Sequence, residues 1–119
     1  MKRKAIQLYR QGYNCGLCLL KAAEFRYGII IPPKMMQGCS VINNGFGVGG
    51  LCSVLVVGVM IFGMLFDEKK AKQMRLKLFT RFHENHGNFH CSALSANDDK
   101  CESIISEVAD LVDQIIAEG

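Results

Sequence analysis

The sequence predicts an all-α fold in a single domain that spans residues 1–119. Half of the residues (50%) are hydrophobic, which is enough for one compact core. No second segment is convincing as a β-strand, whereas the last part of the chain repeats apolar residues at helical intervals: Ile104, Val108, Leu111 and Ile115. We therefore expect five or six helices around a central apolar helix.

Caps and breakers set the elements before the central helix. A first helix is expected over residues 2–11. The side chain of Asn14 can accept a hydrogen bond from the start of a second helix, over residues 15–27. Proline forces the preceding residue out of helical conformation, so Pro33 marks a break. A short third helix is expected over residues 34–42.

The most apolar segment, residues 48–66, contains no charged residue. An uncharged run of about 18 or more residues can cross a membrane, so a transmembrane helix is an alternative for this segment. Glycines interrupt the run, however, and the amphipathic helices elsewhere need an apolar surface to cover. We therefore expect a buried helix over residues 51–66 and no membrane span.

Charge is unevenly distributed over the last two predicted helices. Residues 67–85 carry mostly basic charges, and residues 98–118 are predominantly acidic. The last helix is expected to open at Asp98 or Asp99, because Asp99 and Glu102 have the spacing of a capping box. We expect the two helices to pack side by side with complementary charges; the alternative is a basic surface for an anionic partner.

Composition also limits the partners and the compartment. A net charge of +3 is too small to indicate nucleic-acid binding, and 8% aromatic residues provide few surfaces for base stacking. The basic N-terminus is not followed by the apolar segment of a secretory signal. We therefore expect a cytoplasmic protein. In that reducing compartment, clustered cysteines are more often redox-active or metal-binding than structural.

Three of the six cysteines, Cys15, Cys52 and Cys101, are expected in the first turn of a predicted helix. Free N–H groups and the positive end of the helix dipole stabilise a thiolate there, and the thiolate is both the nucleophile and the metal ligand. Cys18 follows Cys15 at a C-x-x-C spacing, which fits either a reversible dithiol or two packed core thiols. No strand precedes the pair, so a thioredoxin-like motif is excluded. The role of Cys39 is left open.

The three histidines, His83, His86 and His90, lie just before Cys91. We expect structural or solvated roles for them, because a helix C-terminus favours histidine. Ligation of a metal is the alternative.

A glycine loop, defined here as residues 43–50, precedes the central helix. Gly45-x-Gly47-x-x-Gly50 matches the dinucleotide-binding fingerprint by letter, but no strand precedes it. A glycine backbone can approach a cofactor or another helix closely. Gly47, Gly49 and Gly50 are therefore candidates for binding a cofactor.

Several motifs, taken in order, resemble a known family. They are Ala5-x-x-Leu8-Tyr9-x-x-Gly12-x-Asn14-Cys15, the glycine loop followed by Cys52, Phe79-x-x-Phe82-x-x-x-x-Gly87-x-x-x-Cys91-x-x-Leu94, and Cys101 ahead of an amphipathic helix. Over residues 5–112 the chain resembles the C_GCAxxG_C_C family of small bacterial and archaeal redox-active proteins. It departs from the family signature, Cys-Gly-Ala-x-x-Gly, by having Ser53 and Val54 after the cysteine and its next glycine one place later, at Gly58.

The resemblance implies a helical, redox-active protein whose characteristic cysteines fall on Cys15, Cys52, Cys91 and Cys101. Two chemistries remain open: the thiols cycle between dithiol and disulfide, or they hold an iron–sulfur cluster or another metal for electron transfer. Since family members are often encoded near transporter genes, the alternative is a non-enzymatic accessory or interaction domain with structural cysteines. The sequence does not determine the cofactor or the redox partner protein. It does not determine the oligomeric state either, and a homo-oligomer is one of the alternatives.

The cysteines are expected to differ in reactivity. Cys52 begins the most apolar segment, and burial raises the pKa of such a thiol. Cys15 lies at a capped and partly exposed helix start, which favours its thiolate. We therefore expect Cys15 to be alkylated before Cys52. Cys101 is expected to lie between them, because acidic neighbours oppose its ionisation.

Overall fold

The computed structural model describes residues 1–43, 45–94 and 100–119, with the backbone alone for Ser92 and Lys100. Every regular element in these ranges is a helix, which confirms the prediction of an all-α fold. The seven α-helices are α1 (Lys2–Arg10), α2 (Cys15–Tyr27), α3 (Pro33–Cys39), α4 (Ser53–Leu65), α5 (Glu68–His86), α6 (Cys91–Leu94) and α7 (Lys100–Glu118).

The predicted caps account for several of these boundaries. The Asn14 side chain accepts a hydrogen bond from the N–H of Leu17 (3.0 Å) and begins α2, which ends at Gly28 in the left-handed conformation. Asp67 begins α5 in the same way, by accepting from the N–H of Lys70 (2.8 Å). Because Asp67 is extended, α4 and α5 are separate helices, as expected.

Other boundaries differ from the sequence-based ones. Helix α3 ends at Cys39 rather than at residue 42, and the hydroxyl of Ser40 donates to a carbonyl oxygen of its last turn (2.6 Å). Helix α4 begins at Ser53 rather than at residue 51, because Leu51 pairs with His90 in an antiparallel bridge. The one-turn helix α6 was not predicted. The expected capping residues Asp98 and Asp99 lie outside the described residues.

Helix α4 packs against α2, α5 and α7, and α1 packs against α2 and α7. A Cβ added at Gly58 would lie 3.0 Å from Leu78 Cδ2 and 3.4 Å from Val112 Cγ2. Glycine at this position therefore permits the close approach of α4 to α5 and α7, although it stands one place later than in the family signature.

With 13 residues, α4 is too short to cross a membrane, and the other described helices do not meet the requirement either.

The acidic helix α7 makes ion pairs with both of its basic neighbours, α1 and α5. The pairs are Lys2–Asp110 (3.0 Å), Arg10–Glu102 (2.5 Å), Lys77–Glu118 (3.7 Å) and Arg81–Glu118 (2.6 Å). The helices thus pack with complementary charges, as expected from the sequence. Exposed pairs contribute roughly 0–1 kcal/mol each, so we assign the stability of this packing to its apolar contacts.

Candidate functional site

Four cysteines from distant parts of the chain line one small cavity. They are Cys15, Cys52, Cys91 and Cys101, together with Ser53, Val54, Leu94 and Ile104. The cavity has a volume of about 20 Å³, which is room for about one water molecule. The fold therefore brings together the same four cysteines that the family resemblance singles out.

Each of these cysteines lies at the N-terminal end of a helix. Cys15 is the first residue of α2, Cys52 is the N-cap of α4, and Cys91 is the first residue of α6. Cys101 is the second residue of α7 as described. At the start of α4, the N–H groups of Val54 and Leu55 favour negative charge on the sulfur of Cys52.

A backbone bridge joins the segments that carry Cys52 and Cys91. The N–H of Cys52 donates to the carbonyl oxygen of Phe89 (2.8 Å), and the N–H of Cys91 donates to that of Gly50 (2.6 Å). These two hydrogen bonds hold the two segments against each other. The sequence did not reveal this contact, because a single bridge has no repeating pattern.

The glycine loop sets the position of Gly50 in this bridge. The N–H of Gly50 donates to the carbonyl oxygen of Gly45 (2.9 Å), and Gly45 has a left-handed φ of 59°. A Cβ at Gly45 would lie 2.4 Å from the nitrogen of Gly50. Gly47 and Gly49 also have positive φ angles, 79° and 71°. The loop glycines thus have a conformational role, and cofactor binding by Gly47, Gly49 and Gly50 stays a prediction.

The thiols of the cavity influence one another electrostatically. Burial raises the pKa of Cys52 to about 11, although N–H groups at the start of α4 stabilise its thiolate. Burial also raises the pKa of Cys101, whereas a hydrogen bond with Tyr9 lowers it. The same two neighbours, Cys15 and Cys91, disfavour a negative charge on both of these sulfurs. The cavity therefore does not favour several thiolates at once.

Cys15 and Cys18 have different surroundings despite their C-x-x-C spacing. Cys15 is half-buried, and its sulfur lies 3.2 Å from the hydroxyl oxygen of Ser53. Cys18 is fully buried, and its thiol donates to the carbonyl oxygen of Tyr13 (3.4 Å). Burial raises the pKa of Cys18 to about 12. Cys18 and the buried Cys39 are not among the cavity-lining residues of the described chain, so the pairing of Cys15 with Cys18 stays the alternative to a disulfide between two cavity thiols.

The histidines make local contacts outside the cavity. His86 is hydrogen-bonded to Glu107 (2.6 Å), and the ring of His90 to Asn88 (3.1 Å). The ring of His83 lies 5.4 Å from that of Phe89. These contacts are of the structural kind that we expected. In the described ranges, no group of three or more His, Cys, Asp or Glu residues is arranged to hold a metal ion.

The donor set and the cavity volume together test which metal groups fit the site. Four cysteine thiolates are the ligands of structural zinc and of common iron–sulfur clusters. The cavity volume of about 20 Å³ is close to the space of one small ion or water. The donor set therefore fits such a group, but the four thiols are not arranged to hold a metal ion as they stand and would have to approach one another.

The expected order of alkylation follows from burial and can be measured. In the reduced native protein, Cys15 should react before Cys52, because Cys15 is half-buried whereas Cys52 is buried and its pKa is raised to about 11. Cys101 is also half-buried, but burial raises its pKa, so it should react between them. Cys18 should react last of these four. Timed labelling with iodoacetamide, followed by peptide mass spectrometry, gives the order. Labelling of Cys52 before Cys15 would show that the start of α4 is open to solvent.

A family model described as "Putative redox-active protein (C_GCAxxG_C_C)" matches residues 13–115, a range that contains all four cysteines of the cavity. A search of curated proteins and a search of solved structures found no match to the chain.

Proposed function

Because the chain belongs to the C_GCAxxG_C_C family, we propose that it is a redox-active protein whose reactive groups are the thiols of Cys15, Cys52, Cys91 and Cys101. The observation that carries this proposal is that the four cysteines line one cavity. Thiols held close together exchange rapidly, because the attacking and leaving sulfurs need no large movement.

The proposed reaction is thiol–disulfide exchange. Two cavity thiols lose two protons and two electrons as one S–S bond forms between them, and a disulfide of a partner redox protein takes up both and becomes two thiols. Cys15 is the proposed attacking thiol, because it is half-buried and has a hydroxyl next to its sulfur. A second cavity cysteine then resolves the mixed disulfide with the partner and releases the partner as a dithiol.

Oxidation of the reduced protein with glutathione disulfide tests this proposal. We expect the native protein to lose thiols in pairs and to regain them with dithiothreitol. Cys39→Ala is the matched control, since Cys39 is buried but does not line the cavity, and it should keep this behaviour. Cys15→Ala should instead slow the loss at least tenfold, because the attacking thiol is gone. Unchanged thiol loss in Cys15→Ala would contradict the proposed role of Cys15.

The four-cysteine donor set supports a second candidate, a metal ion held by the same four thiolates once they approach one another. A soft ion such as zinc would supply charge compensation for the thiolates and structural cohesion. Metal analysis of anaerobically purified protein, with its visible spectrum, tests this candidate. About one ion per chain that is lost in the four-cysteine variant would support it, and a metal-free protein with reactive thiols would contradict it.

The non-enzymatic alternative is tested by replacing all four cavity cysteines with alanine. An interaction domain with structural cysteines should retain its cellular function if the variant folds. The redox proposal predicts that function is lost while the helical circular dichroism spectrum is kept.

A further inference from the structure

Among the described residues, Ser53 is the one polar or charged residue that is buried, with 2% of its surface exposed. It is the first residue of α4, lines the cavity, and stands where the family signature has glycine. A buried hydroxyl needs a hydrogen-bond partner, because an unpaired one costs the full penalty of removing it from water. The partner of Ser53 therefore matters for the chemistry of the cavity.

That partner is the sulfur of Cys15, 3.2 Å from the hydroxyl oxygen. The approach depends on Gly16, since a Cβ at that position would lie 3.3 Å from the same oxygen and 3.3 Å from Val57 Cγ2. The hydroxyl is thus held between α2 and the cavity. Among the described residues, the hydroxyl of Ser53 has no other hydrogen-bond partner.

We propose that Ser53 is a positioning residue that stabilises the reduced form of Cys15 and so sets the redox equilibrium of the four-thiol cavity. This inference rests on the proposed thiol–disulfide function. A reduced Cys15 donates its S–H to the hydroxyl or, as a thiolate, accepts a charge-assisted hydrogen bond from it. A disulfide sulfur has neither the proton nor the charge. Oxidation of Cys15 therefore leaves the buried hydroxyl with a much weaker partner.

The consequence is a shift in one balanced equilibrium. In glutathione buffer, the protein dithiol and glutathione disulfide form the protein disulfide and two molecules of glutathione. Ser53 disfavours the oxidised side of this reaction. In Ser53→Ala that cost disappears, so the equilibrium constant for oxidation should rise about tenfold, equivalent to a reduction potential about 30 mV more negative.

Redox titration of the native protein, Ser53→Ala and Val54→Ala tests the proposal. Val54→Ala is the control, because Val54 lines the same cavity and is equally buried but has no hydroxyl. We expect it to change the equilibrium constant less than about threefold. A Ser53→Ala potential that is unchanged, more positive, or shifted no more than that of Val54→Ala would overturn the proposal.

The rate of Cys15 alkylation in the reduced protein separates this inference from the proposed function. Loss of the hydrogen bond should slow alkylation about threefold at neutral pH, because the hydroxyl no longer stabilises the attacking sulfur by a charge-assisted hydrogen bond. If the native protein forms no disulfide, the redox function fails. The hydrogen bond then stands if Ser53→Ala still slows alkylation, and it is refuted if the rate is unchanged. If the native protein does cycle and Ser53→Ala alters neither readout, the inference alone is wrong.

Discussion

Replacing Gly45 with alanine should lower the free energy of unfolding by about 3 kcal/mol or more, one of the largest effects of any single substitution in this chain. The residue has a left-handed φ of 59°, which alone costs an alanine about 1–2 kcal/mol. Its new Cβ would also lie 2.4 Å from the nitrogen of Gly50 and 2.5 Å from its oxygen. Backbone atoms cannot rotate away as a side chain can, so the glycine loop must open.

Gly47→Ala is the matched control for this substitution. Gly47 belongs to the same loop and also has a positive φ, 79°, but a Cβ there would have no neighbour within 4 Å. Gly47→Ala should therefore lower the free energy of unfolding only by the cost of the left-handed backbone, about 1–2 kcal/mol. Urea unfolding of both variants gives the comparison. If Gly45→Ala lowers the free energy of unfolding no more than Gly47→Ala does, the close contact between Gly45 and Gly50 is contradicted.

The structure also links Gly45 to the cysteines. The carbonyl oxygen of Gly50 accepts the N–H of Cys91, and the neighbouring bond from Cys52 belongs to the same bridge. Opening of the loop should thus release Cys52 from its buried position. Faster alkylation of Cys52 in folded Gly45→Ala than in Gly47→Ala is the expected result.

Truncating Phe82 to alanine is the second substitution for which we expect a large effect, about 3–5 kcal/mol. The ring is fully buried, and it stacks with the ring of Phe89 at a centroid distance of 6.4 Å. Phe89 in turn accepts the backbone N–H of Cys52. The cavity left by the substitution would therefore weaken both the core and the support of the cysteine-bearing segment.

Phe25→Ala is the control for this experiment, since Phe25 is the same residue type but 76% exposed. Phe25→Ala should change the free energy of unfolding by no more than about 0.5 kcal/mol, as most surface substitutions do. The test compares the denaturant midpoints of Phe82→Ala and Phe25→Ala, measured at equal protein concentration. Similar midpoints for both variants would contradict the buried position of Phe82.

The helices and their ends were largely predictable, because their signals are local. Asn14 and Asp67 each cap a helix with their own side chain, and Gly28 ends α2 by its left-handed conformation. The position of Cys15 at a helix start follows from the Asn14 cap. Such features depend on a few consecutive residues, which a sequence displays directly.

The contacts that build the cavity could not be predicted in this way. The bridge between the segments of Cys52 and Cys91 joins residues far apart in the chain and lacks any periodic signal. The hydrogen bond of Ser53 to Cys15 depends on the packing of α2 against α4. The positive φ angles of the glycine loop likewise depend on its closure onto Gly50, whereas its letters match an unrelated phosphate-binding motif.

The most direct test of the four-thiol redox centre is a map of the disulfides that form in the native protein. The chain is equilibrated in glutathione buffers of increasing potential, remaining thiols are blocked, and disulfide-linked peptides are identified by mass spectrometry. We predict reversible disulfides that join only members of the set Cys15, Cys52, Cys91 and Cys101. A protein that retains all of its thiols, or one whose first disulfide involves Cys18 or Cys39, would contradict a redox centre built from the cavity thiols.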